Sequence, residues 1–480
     1  MTEAQDFLFE LLTEELPPKA LRALSRGLAD GVKAGLETAG LSFAAVLPYA
    51  SPRRLAVIVT DLQARQADQA VERKGPAIAA ANDADGNPTK AALGFAKSCG
   101  VDIQALTTLK TDKGEWLYYQ ANQAGAESCA LLPEIIDASL KRLPIPKLMH
   151  WGEHKMPFAR PVHNVLMLLG KTVIDAEFFG HRACDQTYGH RFHHPDAITI
   201  KAPKDYVAAL KKAHVLVDFD ERREAVKDAV IALATKQNAT AVMPDALLNE
   251  VTSIVEWPAA LLGSFDTTFL SVPKEVLILS MQTNQKYFAL IDEHQTLLPN
   301  FITISNIESR NPKDVIKGNE RVICARFADA DFFFNTDKKT PLASYLKRLN
   351  HIVFQKPLGS LMDKTERVTL LSKHIAKLIN ADITQTARAA TLCKADLCTD
   401  MVGEFPELQG VMGRYYAQHD AEDDAVALAL DEVYKPRFSG DSLAESKVGL
   451  SLALADRLDS LVGLFGIGKI PTGTKDPFAL

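Results

Sequence analysis

Near the end of the chain, Gly468 and Gly473 stand with four residues between them, flanked by Lys469 and Lys475. That is the glycine gap of a phosphate-binding loop, whose backbone amides wrap a nucleotide phosphate at a helix start. The chemistry also needs Lys followed by Ser or Thr, so that the lysine reaches the phosphates and the hydroxyl binds magnesium. Here the order is reversed: Thr474 precedes Lys475, and Asp476-Pro477 follows. A phosphate loop leaves a strand and opens a helix. This one leaves an apolar helical run through Leu454, Leu458, Leu461, Val462 and Phe465 and meets a proline, which disfavours a new helix. The segment is not read as a nucleotide site. A second cluster suggests metal: seven of the twelve histidines lie between residues 150 and 194, with His190, His193 and His194 together and His181 upstream. Zinc sites combine such residues with Cys or carboxylate ligands at set spacing on separate elements, and no such spacing is found. Cys393 and Cys398 have no second pair to match them. No metal site is expected.

The histidine-rich stretch carries another chemistry. From Lys141 to Asp196 there are eight Lys and Arg (141, 142, 147, 155, 160, 171, 182, 191) against five acids (153, 175, 177, 185, 196). The formal charge of the whole chain is −6, which argues against holding nucleic acid by bulk electrostatics but leaves room for a local basic surface. Solvated loop charges are the plain reading. Arg, His and Trp can also meet phosphates and stack on bases.

The elements that must position these residues change along the chain. Phe7–Thr13 alternates as a strand, Pro17-Pro18 opens an amphipathic helix running to Gly40, and Arg54–Leu62 is a second strand. Gly114 suits a hairpin turn before Trp116–Tyr119. Asp218–Asn238 reads as a charged helix, and Tyr287–Asp292 and Phe301–Asn306 as short strands. From Pro312 onward the pattern is almost entirely helical, with breaks at Pro341, Pro357 and Pro436. The expectation is an α+β multidomain chain: a mixed α/β region over 1–325, in one or two lobes, and a helical domain over 326–480. At 480 residues, 47% hydrophobic and 24% charged, the composition is that of a globular protein. It contains no long uninterrupted apolar run of the kind that spans a membrane. The acidic N-terminus does not resemble a secretory signal, and six cysteines make no disulfide framework. A cytoplasmic setting is expected.

Several segments carry a family resemblance. The stretch ALADRLDSLVGLFGIGKIPTGTKDPFAL, from Ala453 to Leu480, closely resembles a signature of the β subunit of bacterial heterotetrameric glycyl-tRNA synthetase. Phe7–Leu21 (FLFELLTEELPPKAL) is similar to that family's opening, and Ser51-Pro52-Arg53-Arg54-Leu55 to its TPRRL. Gly189-His190-Arg191-Phe192, Gln285–Phe288, Gly318–Val322 and Glu404–Gly410 match in collinear order. Departures are His150 before Trp151 where Arg is usual, Asn284 where His is common, and Ala444 in place of a proline.

The resemblance implies a chain that holds and orients tRNA(Gly) for two-step glycylation, with ATP, Mg2+ and glycine bound at a class II site on a separate α subunit. The assembly would have two α and two β subunits. No cofactor, membrane or DNA is implied for this chain. It implies an N-terminal region like the B3/B4 editing domain of phenylalanyl-tRNA synthetase, followed by a helical domain like the HD phosphohydrolases. Editing is not expected, because glycine is the smallest amino acid and a tight pocket excludes all others by steric overlap; the region is expected to be a tRNA-binding and assembly scaffold. Candidate RNA-facing residues are Arg53, Arg54, Trp151, Arg160, His163, His190, Arg191, Lys286, Tyr287, Lys469 and Lys475. The HD metal ligands would correspond to His374, Ala395-Asp396 and Asp456, with alanine at the dyad's histidine. The alternatives are a metal-dependent phosphohydrolase and a purely structural or RNA-binding module. Family members continue past this signature to an anticodon-binding domain, so a truncated chain is expected.

Overall fold

The strand around Phe7-Leu8-Phe9-Glu10-Leu11 lies at the centre of a five-stranded sheet. The computed structural model describes residues 4–83, 87–111, 114–153, 156–472 and 476. These fall into two units. The first comprises Met1–Asp228, Asp245–Ala259 and Ile304–Glu308; the second comprises Ala229–Pro244, Ala260–Thr303 and Ser309–Leu480. In chain order the first begins β1 (Gln5–Thr13), α1 (Pro18–Thr38), β2 (Ala45–Ser51), β3 (Arg54–Leu62), β4 (Gln69–Ala77), α2 (Ile78–Ala81), α3 (Lys90–Cys99), β5 (Thr107–Thr111), β6 (Gly114–Gln123), α4 (Ser128–Lys141), β7 (Val162–Leu169) and β8 (Thr172–Val173).

The main sheet runs β2-β3-β1-β7-β8, antiparallel throughout. Both of its faces are covered. Phe7, Phe9 and Leu11 of β1 share one core with Leu55, Val57 and Val59 of β3 and with the α1 stripe Leu21, Leu24, Leu28, Val32 and Leu36. That stripe follows the helical period, and Pro18 opens the helix at a position where its missing N–H costs nothing. Gly35 lets α4 approach: a Cβ there would stand 2.6 Å from the Ile135 side chain. Leu8, Ala56 and Ile58 face a second core with Tyr206, Leu210, Val215 and Val217. Burying each large apolar side chain contributes about 1.5–3 kcal/mol, so a strand apolar on both faces fixes the sheet's centre. Strands β4, β6 and β5 form a separate three-stranded sheet.

The second unit contains a four-stranded sheet ordered Thr240–Val242, Phe288–Ile291, Leu297–Ser305, Ala259–Ser264. From Pro312 on, the elements of the described residues are helical apart from the small pair Val353–Gln355 and Gly359–Ser360. Its helices include Pro312–Asp337, Leu361–Leu378, Ile383–Leu392, Val411–His419, Asp424–Glu432 and Lys447–Gly466. Helix Leu361–Leu378 starts with a reciprocal cap: the Asp363 amide donates to Ser360 Oγ (3.2 Å) and the Ser360 amide to Asp363 Oδ2 (2.7 Å). The last helix carries a surprise. Its buried apolar side chains are Val448, Leu452, Ala453, Ala455 and Leu464, whereas of the apolar face read from sequence Leu454, Leu458, Val462 and Phe465 lie exposed and Leu461 is half-buried. All six cysteines are free thiols. No described helix is long and apolar enough to cross a membrane.

Candidate nucleic-acid interface

Antiparallel pairing brings the end of β1 beside the starts of β3 and β7. Leu12 stands opposite Arg54 and Thr13 opposite Val162. The Thr13 amide donates to the Arg53 carbonyl (2.8 Å) and the Glu14 amide to the Pro161 carbonyl (2.9 Å). Arg53, Arg54, Arg160 and His163 are thereby gathered at one end of the three central strands. The segment after strand Gln186–Tyr188 adds His190 and Arg191. Six of the eleven sequence candidates share this place although their numbers span 53 to 191.

Beneath these strand ends lies a closed polar cluster. Arg54 is fully buried. Its Nη1 donates to Glu256 Oε1 and to Ser51 Oγ (3.3 Å), and its Nη2 to the carbonyls of Tyr188 and Gly189. Its Nε faces Glu10 Oε2 at 3.5 Å. Glu10 also accepts from the hydroxyls of Thr187 and Tyr206, and Ser51 Oγ donates to Glu256 (2.7 Å). Burial pushes the Glu10 carboxyl up, against the pull of Arg54, Thr187 and Tyr206. The same burial lifts the Tyr206 phenol. The sequence places Arg54 at the surface, in a salt bridge or against phosphate; burial corrects that placement. The residue is instead the internal tie that fixes β1, β3 and the 188–191 turn, because one planar guanidinium can serve several acceptors at once.

Above this cluster the side chains meet solvent. Glu14 accepts from His163 Nε2 (2.9 Å) and Arg191 Nη2 (2.9 Å), and Arg191 reaches Glu15 at 3.5 Å. Burial raises the Glu14 carboxyl somewhat, but the Arg191 and His163 bonds hold it below the usual range. His190 is buried, a second correction to a surface expectation. Its Nδ1 accepts the amides of Phe192 (3.2 Å) and His193 (3.3 Å), which fixes a neutral ring. Burial draws its pKa down, with Glu256 opposing and His193 adding to the fall. A ladder of rings extends from it: His190 to His193 at 4.8 Å, His193 to His214 at 4.8 Å, and His214 to Trp257 at 5.0 Å. Phe192 beside the ladder is 73% exposed. Arginine, imidazole and an exposed ring in one place are the groups that meet phosphates and unstacked bases.

The remaining candidates lie elsewhere. Trp151 packs against the first core and Phe179, ring centroids 6.0 Å apart. In the second unit Tyr287 is 2% exposed, stacks on Phe301 at 4.6 Å and donates to Asn319; it is a core residue and not an RNA-facing one. Lys286 ends a single π-helical turn, Met281–Gln285, in the left-handed conformation (φ +60°) and donates to the Thr283 carbonyl (2.9 Å). Lys469 is exposed just past the last helix, and Lys475 lies outside the described residues.

Comparison with known proteins decides what these pieces belong to. The glycyl-tRNA synthetase beta subunit family matches residues 7–480. The glycine–tRNA ligase beta subunit of Chromohalobacter salexigens is 53% identical over 473 residues, 98% of this chain and 69% of that protein. Those of Pseudomonas fluorescens (strain Pf0-1) and Hahella chejuensis are 51% and 52% identical over 477 residues, 99% of this chain and 69% of each relative. The chain belongs to the glycyl-tRNA synthetase beta subunit family.

Within this family member, the HD-type metal positions can be tested against the donor set. His374 is exposed on its helix. Asp396 is buried, and its Oδ2 accepts the amides of Gly410 (2.6 Å) and Gly413 (3.1 Å), at the start of helix Val411–His419. A Cβ on Gly413 would meet that oxygen at 3.1 Å. Burial lifts the Asp396 carboxyl to about 6 despite these bonds. Asp456 faces the ammonium groups of Lys364 and Lys394 at 3.3 and 3.5 Å. Among the described residues, no group of three or more His, Cys, Asp or Glu is placed to hold a metal. The three positions do not fit one: an aspartate that caps a helix, an aspartate facing two cations and an exposed histidine form no ligand shell.

The residues that sequence reasoning passed over are Glu10, Tyr206, Glu256, His214 and Trp257. Only Glu10 carried a signal, as a lone acid inside the apolar run FLFELL.

Proposed function

We propose that this chain acts as the β subunit of a glycine–tRNA ligase, holding tRNA(Gly) so that its 3′ end enters an active site carried by an α subunit. ATP and Mg2+ are used there and not on this chain. The holoenzyme is an assembly of two α and two β subunits in the cytoplasm. The observation that carries this reading is identity of about half over 98–99% of the chain to proteins of that name. Catalysis by such a subunit is positioning. Placing a hydroxyl correctly against an activated acyl group can lower a barrier by roughly 7–11 kcal/mol in the most favourable cases.

The Arg191–Phe192–His193 turn supports a role in RNA contact, since it joins a cation to exposed rings. Sedimentation of the chain with purified glycyl-tRNA synthetase α subunit, with and without tRNA(Gly), tests the reading. A stable complex that takes up tRNA is the expected result. Separate species at micromolar concentrations of both, repeated with a full-length β relative that does assemble, would remove this chain from the role.

A further inference from the structure

The second unit buries two lysines. Lys364 is 4% and Lys394 6% exposed. Lys364 comes from helix Leu361–Leu378, and Lys394 from the turn after helix Ile383–Leu392. Both ammonium groups converge on the last helix. Lys364 Nζ donates to Ser460 Oγ (2.8 Å), the Asp456 carbonyl (3.1 Å) and Asp459 Oδ2 (3.2 Å). It also stands 3.3 Å from Asp456 Oδ1, and Lys394 Nζ stands 3.5 Å from the same oxygen. Lys394 lies over the Tyr434 ring at 4.1 Å and Lys364 over Phe354 at 4.7 Å. Arg367 closes the rim by pairing with Asp459 (2.6 Å). A buried carboxylate must be met by opposite charge, and here two covalently attached cations share one carboxylate oxygen.

We propose that Lys364 and Lys394 stand in for a divalent metal ion in this helical unit, making its fold independent of metal. A divalent ion and a pair of ammonium groups deliver the same charge to Asp456 and Asp459. The lysines do so without a ligand shell, because their donors are satisfied by Ser460, a helix carbonyl and two aromatic faces. Metal chemistry is thereby exchanged for rigidity between three helical segments. The proposal does not depend on the role proposed for the Arg191–His193 turn.

Thermal unfolding of the whole chain separates the two units. All three tryptophans (116, 151 and 257) lie in the first, so tryptophan fluorescence follows that unit while ellipticity at 222 nm is weighted to the helices of the second. The wild-type ellipticity transition is expected to be unchanged in excess chelator or in millimolar Mn2+. Electron paramagnetic resonance should find no stoichiometric tight Mn2+. Lys394→Met keeps the length and removes the charge; it should lower the second unit's transition by roughly 10 °C, as expected for breaking a buried pair. Lys394→Ala should fall similarly, and neither Mn2+ nor Mg2+ should restore it, because Lys364 still meets both carboxylates. A chelator-sensitive wild type, or tight Mn2+ on it, overturns the proposal even if no variant folds. An undisturbed Lys394→Met transition does so as well, and so does a Lys394→Ala protein whose lost stability Mn2+ restores.

Discussion

Each unit buries a knot of opposite charges, and the two knots are built differently. In the first, the guanidinium of Arg54 spreads its donors over Glu256, Ser51 and two carbonyls and faces Glu10. In the second, the ammonium groups of Lys364 and Lys394 act as compact charges at Asp456. The planar cation ties many acceptors in fixed directions and so defines a turn, the 188–191 segment, on which solvent-facing Arg191 and Phe192 ride. The compact cations neutralise carboxylates and cross-link helices without displaying anything outward. One knot supports a surface, and the other supports only a fold.

The sharpest way to break this comparison is at Arg54. Arg54→Met strands two buried carboxylates, and the first unit should lose about 3–5 kcal/mol, read by urea unfolding followed by tryptophan fluorescence. Arg54→Lys should restore less than half of this, because a lysine cannot reach acceptors on both sides. A loss below about 1 kcal/mol for Arg54→Met would mean that Glu10 simply takes up a proton. The raised Glu10 carboxyl makes that a real competitor.

Asp396 tests whether the second unit's aspartates serve structure. Removing the carboxylate leaves two buried amides, those of Gly410 and Gly413, without an acceptor. Asp396→Ala should therefore cost about 1–3 kcal/mol, and Asp396→Asn less, since one oxygen remains. Both are measured by ellipticity at 222 nm. Metal-dependent phosphatase activity that vanishes with Asp396→Ala would instead restore the hydrolase reading.

How much of this was legible follows from range. β1, α1 and β3 were found within a few residues because their signals are local: two-residue alternation, a proline opening, a 3.6-residue stripe. The helical stretch after Pro312 was legible for the same reason. Arg54 was singled out but put on the wrong side of the surface, since its partners Glu10 and Glu256 lie 44 positions before and 202 after it. The Lys364–Asp456 contact spans 92 positions and left no local trace. The last helix misled differently: an apolar stripe announces a face, but not whether that face is covered.

The histidine ladder sharpens the comparison through pH, because it sets a buried imidazole beside the first knot. His190 accepts two amides at Nδ1 in its neutral form, and Glu256, His193 and Asn306 face it. Its folded pKa lies below the ordinary 6.5, so the unfolded chain binds the proton more readily. Stability from this group is complete above about pH 6.5 and falls as pH drops below it. The tryptophan-monitored unfolding free energy should decline from pH 7.5 to 5.5 more steeply than in His190→Asn. Equal slopes would assign the decline to other groups.

The smallest stability effect is expected at Arg191, which is where function should show most. Its pairs with Glu14 and Glu15 are between partly exposed side chains, and such pairs contribute below about 1 kcal/mol. Arg191→Ala should therefore leave unfolding nearly unchanged. If the turn meets the RNA backbone, the same change should weaken tRNA(Gly) binding and reduce the dependence of log Kd on log salt by roughly 0.7–0.9, one phosphate's worth. Glu14→Gln gives the opposite control: it frees Arg191 from its partner and should strengthen binding slightly. Should Arg191→Ala bind tRNA with unchanged affinity and salt slope, the knot beneath it would have no surface to support, and the distinction drawn between the two units would reduce to two ways of neutralising buried acid.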